Sequence, residues 1–104
     1  MGYLLDTLND ELKTALRLER KYSAKLRLFP RGSFIIRSVR RNMYGYLTRR
    51  ENGRVIQEYL GRMDHREIDI YRRKIAERQK YKVRLAGVRE QIKILKRALR
   101  GKTA

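Results

Sequence analysis

Tyr44, Tyr46 and Tyr59 recur through YGYLTRRENGRVIQEYL, residues 44–60, in company with Arg49, Arg50 and Arg54. Tyrosine rings stack on bases and lie against sugars, while their hydroxyls reach phosphates. Guanidinium forks bind phosphate, or the acceptor edge of guanine, through two parallel hydrogen bonds. Both are chemistries of binding. Residues able to break bonds are scarce. The only histidine, His65, stands beside Asp64, Arg66, Glu67 and Asp69, without the further imidazoles, thiolates or convergent carboxylates that a metal site needs. Cysteine is absent, which excludes a thiolate nucleophile, a disulfide framework and a cysteine-based zinc site. Ser23, Ser33 and Ser38 have no histidine near them in sequence and no nucleophile-elbow context. Asp6 with Asp10, and Glu67 with Asp69, do not build a two-metal nuclease site, which needs carboxylates meeting from several elements. No Walker loop or dinucleotide glycine pattern occurs. The sequence reads as a non-enzyme with no metal and no cofactor.

Charge names the class of partner. The 104 residues carry 28 Lys plus Arg against 11 Asp plus Glu, a net charge of +17. Such a surplus attracts polyanions at long range and releases their counterions on contact. The same charge could also simply be solvated. The N-terminal stretch MGYLLDTLNDELK lacks a secretory signal, and Asp6 stands where a myristoylation signal wants Ser or Thr. The apolar runs are too short to span a bilayer. A cytoplasmic protein without a membrane partner is expected, in a bacterial cell or a phage-infected host.

Positioning these side chains requires an α+β architecture of the order α-βββ-α, read as a single domain over residues 1–104. Residues 3–28 are helical by period: Leu5, Leu8, Leu12, Ala15, Tyr22 and Leu26 step by threes and fours, with Glu19 in the one vacant place. Pro30 stops that helix by restricting the residue before it. Extended runs follow at about 33–39, 43–50 and 54–60, a three-stranded antiparallel sheet within residues 33–60. Asn52-Gly53 suits a type I′ turn and pairs Arg50 with Val55, Thr48 with Gln57 and Tyr46 with Tyr59. Arg40-Arg41 at the first turn pairs Val39 with Asn42, Arg37 with Tyr44 and Ile35 with Tyr46. A long helix over about 64–100 begins at Asp64, an N-cap with Glu67 three residues on. Ile68, Tyr71 and Ile75 make one apolar line on it; Leu85, Val88, Ile92, Leu95 and Leu99 make another. Between them AERQKYK, residues 76–82, breaks the phase, and a bend there or near Gly87 would accommodate the break. The second line resembles a coiled-coil seam. Its mate is the first helix, either within the chain or across a homodimer.

Alternation sorts the sheet into two faces. Phe34, Ile36, Met43, Gly45, Leu47, Ile56 and Leu60 share one, with Ser38, Arg49 and Glu58 toward its edges. Ile35, Arg37, Val39, Tyr44, Tyr46, Thr48, Arg50, Val55, Gln57 and Tyr59 share the other. The first is the expected core face. On the second, Tyr44, Tyr46 and Tyr59 offer rings, Arg37 and Arg50 offer forks, and Thr48 and Gln57 offer short polar contacts. Arg40, Arg41, Arg49 and Arg54 cluster at the two turns as clamps for a nucleic-acid backbone. The same tyrosines could instead be ordinary cross-strand pairs supporting a half-buried sheet. Arg72, Arg73, Lys80, Lys82 and Arg84 on the last helix form either a phosphate-tracking rim or a solvated face.

The stretch FPRGSFIIRSVRRNMYGYLTRRENGRVIQEYLG resembles a pattern, Leu-Pro-Lys-Gly-Ser … Tyr-Tyr-Tyr-Leu … Arg-Glu-x-Gly-Lys-Val … Tyr-Ile-Gly. It belongs to small proteins of Gram-positive bacteria, phages and mobile elements, and a similar hairpin lies near the N-terminus of some insertion-sequence transposases. Pro30, Gly32, Ser33, Tyr44, Tyr46, Leu47, Arg50, Glu51, Gly53, Val55, Tyr59, Leu60 and Gly61 carry the match. Arg40-Arg41 stands in place of Asn-Gly, and Gly45 in place of a central tyrosine. The resemblance implies a prokaryotic mobile-element setting and nucleic-acid handling, and it supplies no activity.

The leading expectation is therefore a module that binds DNA or RNA through a basic, tyrosine-rich sheet face. One alternative is a phage-encoded inhibitor of a host defence nuclease, anti-CRISPR-like, seated on a nucleic-acid-bound effector complex. Another is a structural coiled-coil protein that dimerises through residues 85–99.

Overall fold

The computed structural model describes residues 2–103. Helix α1 (Gly2–Leu26) leads into strands β1 (Ser33–Val39), β2 (Asn42–Glu51) and β3 (Arg54–Arg62), and helix α2 (His65–Thr103) follows. This is the expected α-βββ-α order, with an antiparallel sheet in which β2 is central. β1 has the predicted ends, β2 gains a residue at each end, and β3 runs on by two. The first helix closes where the Leu28 N–H donates to the Lys25 carbonyl at 3.1 Å, just ahead of Pro30. Asp64 caps α2 as read: its Oδ1 accepts from the Glu67 N–H at 2.8 Å, and its carbonyl accepts the first helical bond, from Ile68, at 3.0 Å.

The chain forms two compact units, one holding the first 28 residues with those from Lys80 onward, the other Phe29–Gln79. In the helical unit α1 packs antiparallel on the second part of α2. Ala15, Val88, Ile92 and Leu95 are buried at the seam, with Leu8, Leu12, Leu16, Leu18 and Tyr22 packed against them. Within the chain, α1 thus covers the leucine line of α2. Tyr22 meets Tyr81 at 5.9 Å between ring centroids. Glu19, the polar residue on α1's apolar line, accepts from Arg89 Nε at 3.3 Å. That ion pair explains why a carboxylate sits at the edge of this seam.

In the sheet unit the first part of α2 covers one face. Phe34 of β1 stacks on Tyr71 at 4.8 Å and 21°, both half-buried, and Leu47, Met63 and Ile68 of the same unit are buried. Leu47 is 2% exposed, and burial of such a side chain stabilises by about 2 kcal/mol. Gly45 lies on this face for a steric reason. A Cβ there would stand 2.7 Å from Met63 Sδ and 3.3 Å from Phe34 Cε1. Among the described residues no helix is long and apolar enough to cross a membrane.

Candidate nucleic-acid interface

The predicted register holds at both turns. Val39 pairs with Asn42, Arg37 with Tyr44 and Ile35 with Tyr46. Arg50 pairs with Val55, Thr48 with Gln57 and Tyr46 with Tyr59. Asn52 and Gly53 have φ of 50° and 77°, as a type I′ turn requires. At the first turn Arg40 has φ of 58°, a left-handed conformation that costs a non-glycine residue about 1 kcal/mol.

Beyond Tyr59 the register changes. A bulge lets Leu60 and Gly61 together oppose Gly45, and Tyr44 then pairs with Arg62. Gly61 takes φ of 104°, which a side chain would resist. The Met63 N–H continues the ladder by donating to the Met43 carbonyl at 2.9 Å. Directly opposed residues share a face, so the bulge delivers Arg62 to the tyrosine face. That arginine is absent from the sequence-derived set, and its only local signal is the glycine before it.

The outward face is thereby ordered in rows across the three strands. Arg37, Tyr44 and Arg62 make one row, Ile35, Tyr46 and Tyr59 the next, Ser33, Thr48 and Gln57 a third, and Arg50 with Val55 the last. Arg37, Arg50, Gln57, Tyr59 and Arg62 are exposed, and Tyr44 and Tyr46 are half-buried. The rings form a cluster: Tyr59 lies 5.3 Å from Tyr46 and 6.5 Å from Tyr44, tilted by 47° and 34°. The Arg37 guanidinium sits 5.1 Å from the centroid of the Tyr46 ring, a cation–π contact. Arg40 and Arg41 at one turn and Arg54 at the other are exposed at opposite ends of the sheet.

Three members of the sequence-derived set stand apart. Arg54, directly opposite Glu51, shares the helix-covered side with it. Arg49 projects from the helix-covered side, where its Nε donates to Glu51 Oε1 at 2.7 Å and its Nη1 to Glu58 Oε1 at 2.9 Å. These bonds, to Glu51 first and then Glu58, push its pKa above the usual arginine value. The hydrogen bond from Arg49 and its charge hold the Glu51 carboxyl below the ordinary carboxylate range. Burial, and then the charge of Glu58, raise the Tyr71 phenol. Thr48 lies within the outward face, but its hydroxyl oxygen is shielded from solvent and finds no hydrogen-bond partner. Arg72 and Arg73 belong to the part of α2 packed behind the sheet, away from the tyrosines.

Charge is segregated between the two faces. Glu51 and Glu58 are the only acidic residues between Phe29 and Arg62, and both lie on the helix-covered side, engaged by Arg49. The tyrosine face holds no carboxylate. Among the described residues no group of three His, Cys, Asp or Glu side chains is placed to hold a metal.

A basic, aromatic sheet on a helical support defines this chain as a small α+β module. It belongs to the family described as a domain of unknown function, DUF6788, whose profile matches residues 8–70, more than half of the chain and the whole of the sheet. No curated protein and no solved structure matches it.

Proposed function

We propose that this chain binds nucleic acid through the outward face of its sheet. The observation that carries the reading is the segregation of charge: arginines and tyrosines share a solvent-facing surface from which every strand carboxylate is excluded. A sheet that merely needed tyrosines for cross-strand packing has no reason to confine both glutamates to the other side. The strained Arg40 adds support, since a costly backbone conformation persists where its side chain is of use. The hairpin's resemblance to mobile-element proteins agrees with a prokaryotic, phage or mobile-element setting.

Titration of labelled nucleic acid at two salt concentrations tests the reading. Affinity falls steeply with salt, because phosphate neutralisation releases counterions. The variant with Arg37, Arg50 and Arg62 changed to Ala loses most of the affinity while its circular dichroism spectrum is kept. Unchanged affinity in that variant, or no binding by the parent chain, would overturn the proposal.

A further inference from the structure

We infer that the ligand of this face is duplex DNA approached from the major groove, an inference that rests on the nucleic-acid reading and narrows it. Single-strand recognition needs aromatic faces open to successive bases. Here those faces are engaged. Arg37 covers the Tyr46 ring, Tyr59 leans on both other rings, and Tyr44 and Tyr46 are half-buried. Tyr59, 59% exposed, is the one open ring of the cluster, and one ring is not a track for a strand.

What the face presents instead are tips. Arg37 and Arg62 flank Tyr44 from the two outer strands, and Gln57 stands on the same surface. Two inter-strand spacings separate those outer strands by about 10 Å. That width suits the major groove, about 12 Å across, and exceeds the minor groove, about 6 Å. The major groove of A-form RNA is too deep and narrow for side chains to read. Arginine forks match guanine O6 and N7, the glutamine amide matches adenine, and exposed Val39 and Val55 suit thymine methyl groups. Along β2 the nine steps from Asn42 to Glu51 cover roughly 30 Å, or about nine base pairs. Arginines stand toward both ends of that length, Arg40 and Arg41 at one turn and Arg50 in the row nearest the other.

One sequence, presented to the full chain as duplex DNA, as each single strand and as duplex RNA, separates the possibilities by fluorescence anisotropy. Duplex DNA is expected to bind at least about tenfold tighter than the other forms. With Arg37, Arg40, Arg41, Arg50 and Arg62 engaged, the log–log salt slope is about −4.5. Arg37→Ala, which uncovers the Tyr46 ring, lowers duplex affinity several-fold and leaves single-strand affinity level or higher. Equal or tighter binding of single strands or RNA, or an equal loss on every form in Arg37→Ala, overturns the duplex assignment and leaves nucleic-acid binding standing. No binding of any form removes the parent reading as well.

Discussion

Tyr44 and Arg62 stand directly opposite each other on β2 and β3, although counting back from the Asn52–Gly53 turn would set Tyr44 against Gly61. The extra residue of the bulge moves the partner by one and turns a guanidinium onto the tyrosine face. Arg62→Ala is therefore expected to weaken nucleic-acid binding about tenfold and to reduce the salt slope by about one. Arg49→Ala behaves differently. Its side chain faces the other way and serves Glu51 and Glu58, so affinity holds while the urea midpoint falls. Equal losses of affinity in the two variants would contradict the assignment of faces.

Gly45→Ala tests the helix-covered side. The added Cβ would meet Met63 Sδ at 2.7 Å, so the thioether of Met63, 8% exposed, must swing aside within the covered face. Overpacking relieved by a flexible side chain destabilises at the low end of its range, by roughly 1 kcal/mol. In the double variant with Met63→Ala the cost is less than the sum of the two singles, because the clash has gone. Urea denaturation of the four proteins measures the coupling, and strict additivity would mean that the two residues do not press on each other.

These two positions show what was legible in the sequence and what was not. The register could be read because Asn52-Gly53 fixes one hairpin and period-two alternation does the rest, which placed Gly45 on the core face and Tyr44 on the other. The bulge could not, since Leu60-Gly61 looks like any strand end until Gly61's positive φ is seen. Arg49 enters the candidate set by residue type alone, since alternation sets it on the same side as Glu58. Thr48 offers a hydroxyl in the sequence, and neighbouring packing, invisible there, shields that oxygen. The phase break at residues 76–82 has a physical meaning too. It marks where α2 passes from the sheet unit to the helical one, with the division after Gln79.

Acid should expose the Arg49 cluster. The Glu51 carboxyl is held down by the Arg49 hydrogen bond, so the folded state binds fewer protons there than the unfolded chain. The resulting stability is present above the unfolded carboxylate value, about 4.3, and is lost as pH falls through the lower folded value. Urea midpoints measured from neutral pH down into this range should decline, and Arg49→Gln should flatten the decline. An unaltered acid limb in Arg49→Gln would show that the cluster contributes nothing to it.

Arg40 offers a separation of stability from binding. Its φ of 58° costs a non-glycine residue about 1 kcal/mol, whereas glycine occupies that region freely. Arg40→Gly should therefore raise the unfolding free energy by roughly 0.5–1 kcal/mol, with the gain reduced by the glycine's greater freedom in the unfolded chain. The same change removes a guanidinium from the end of the sheet, so affinity for nucleic acid should fall and the salt slope should drop by about one. Thermal unfolding and anisotropy on one protein sample then move in opposite directions. Such opposition is what a residue kept for binding produces, and a variant that gains stability with affinity intact would remove Arg40 from the interface.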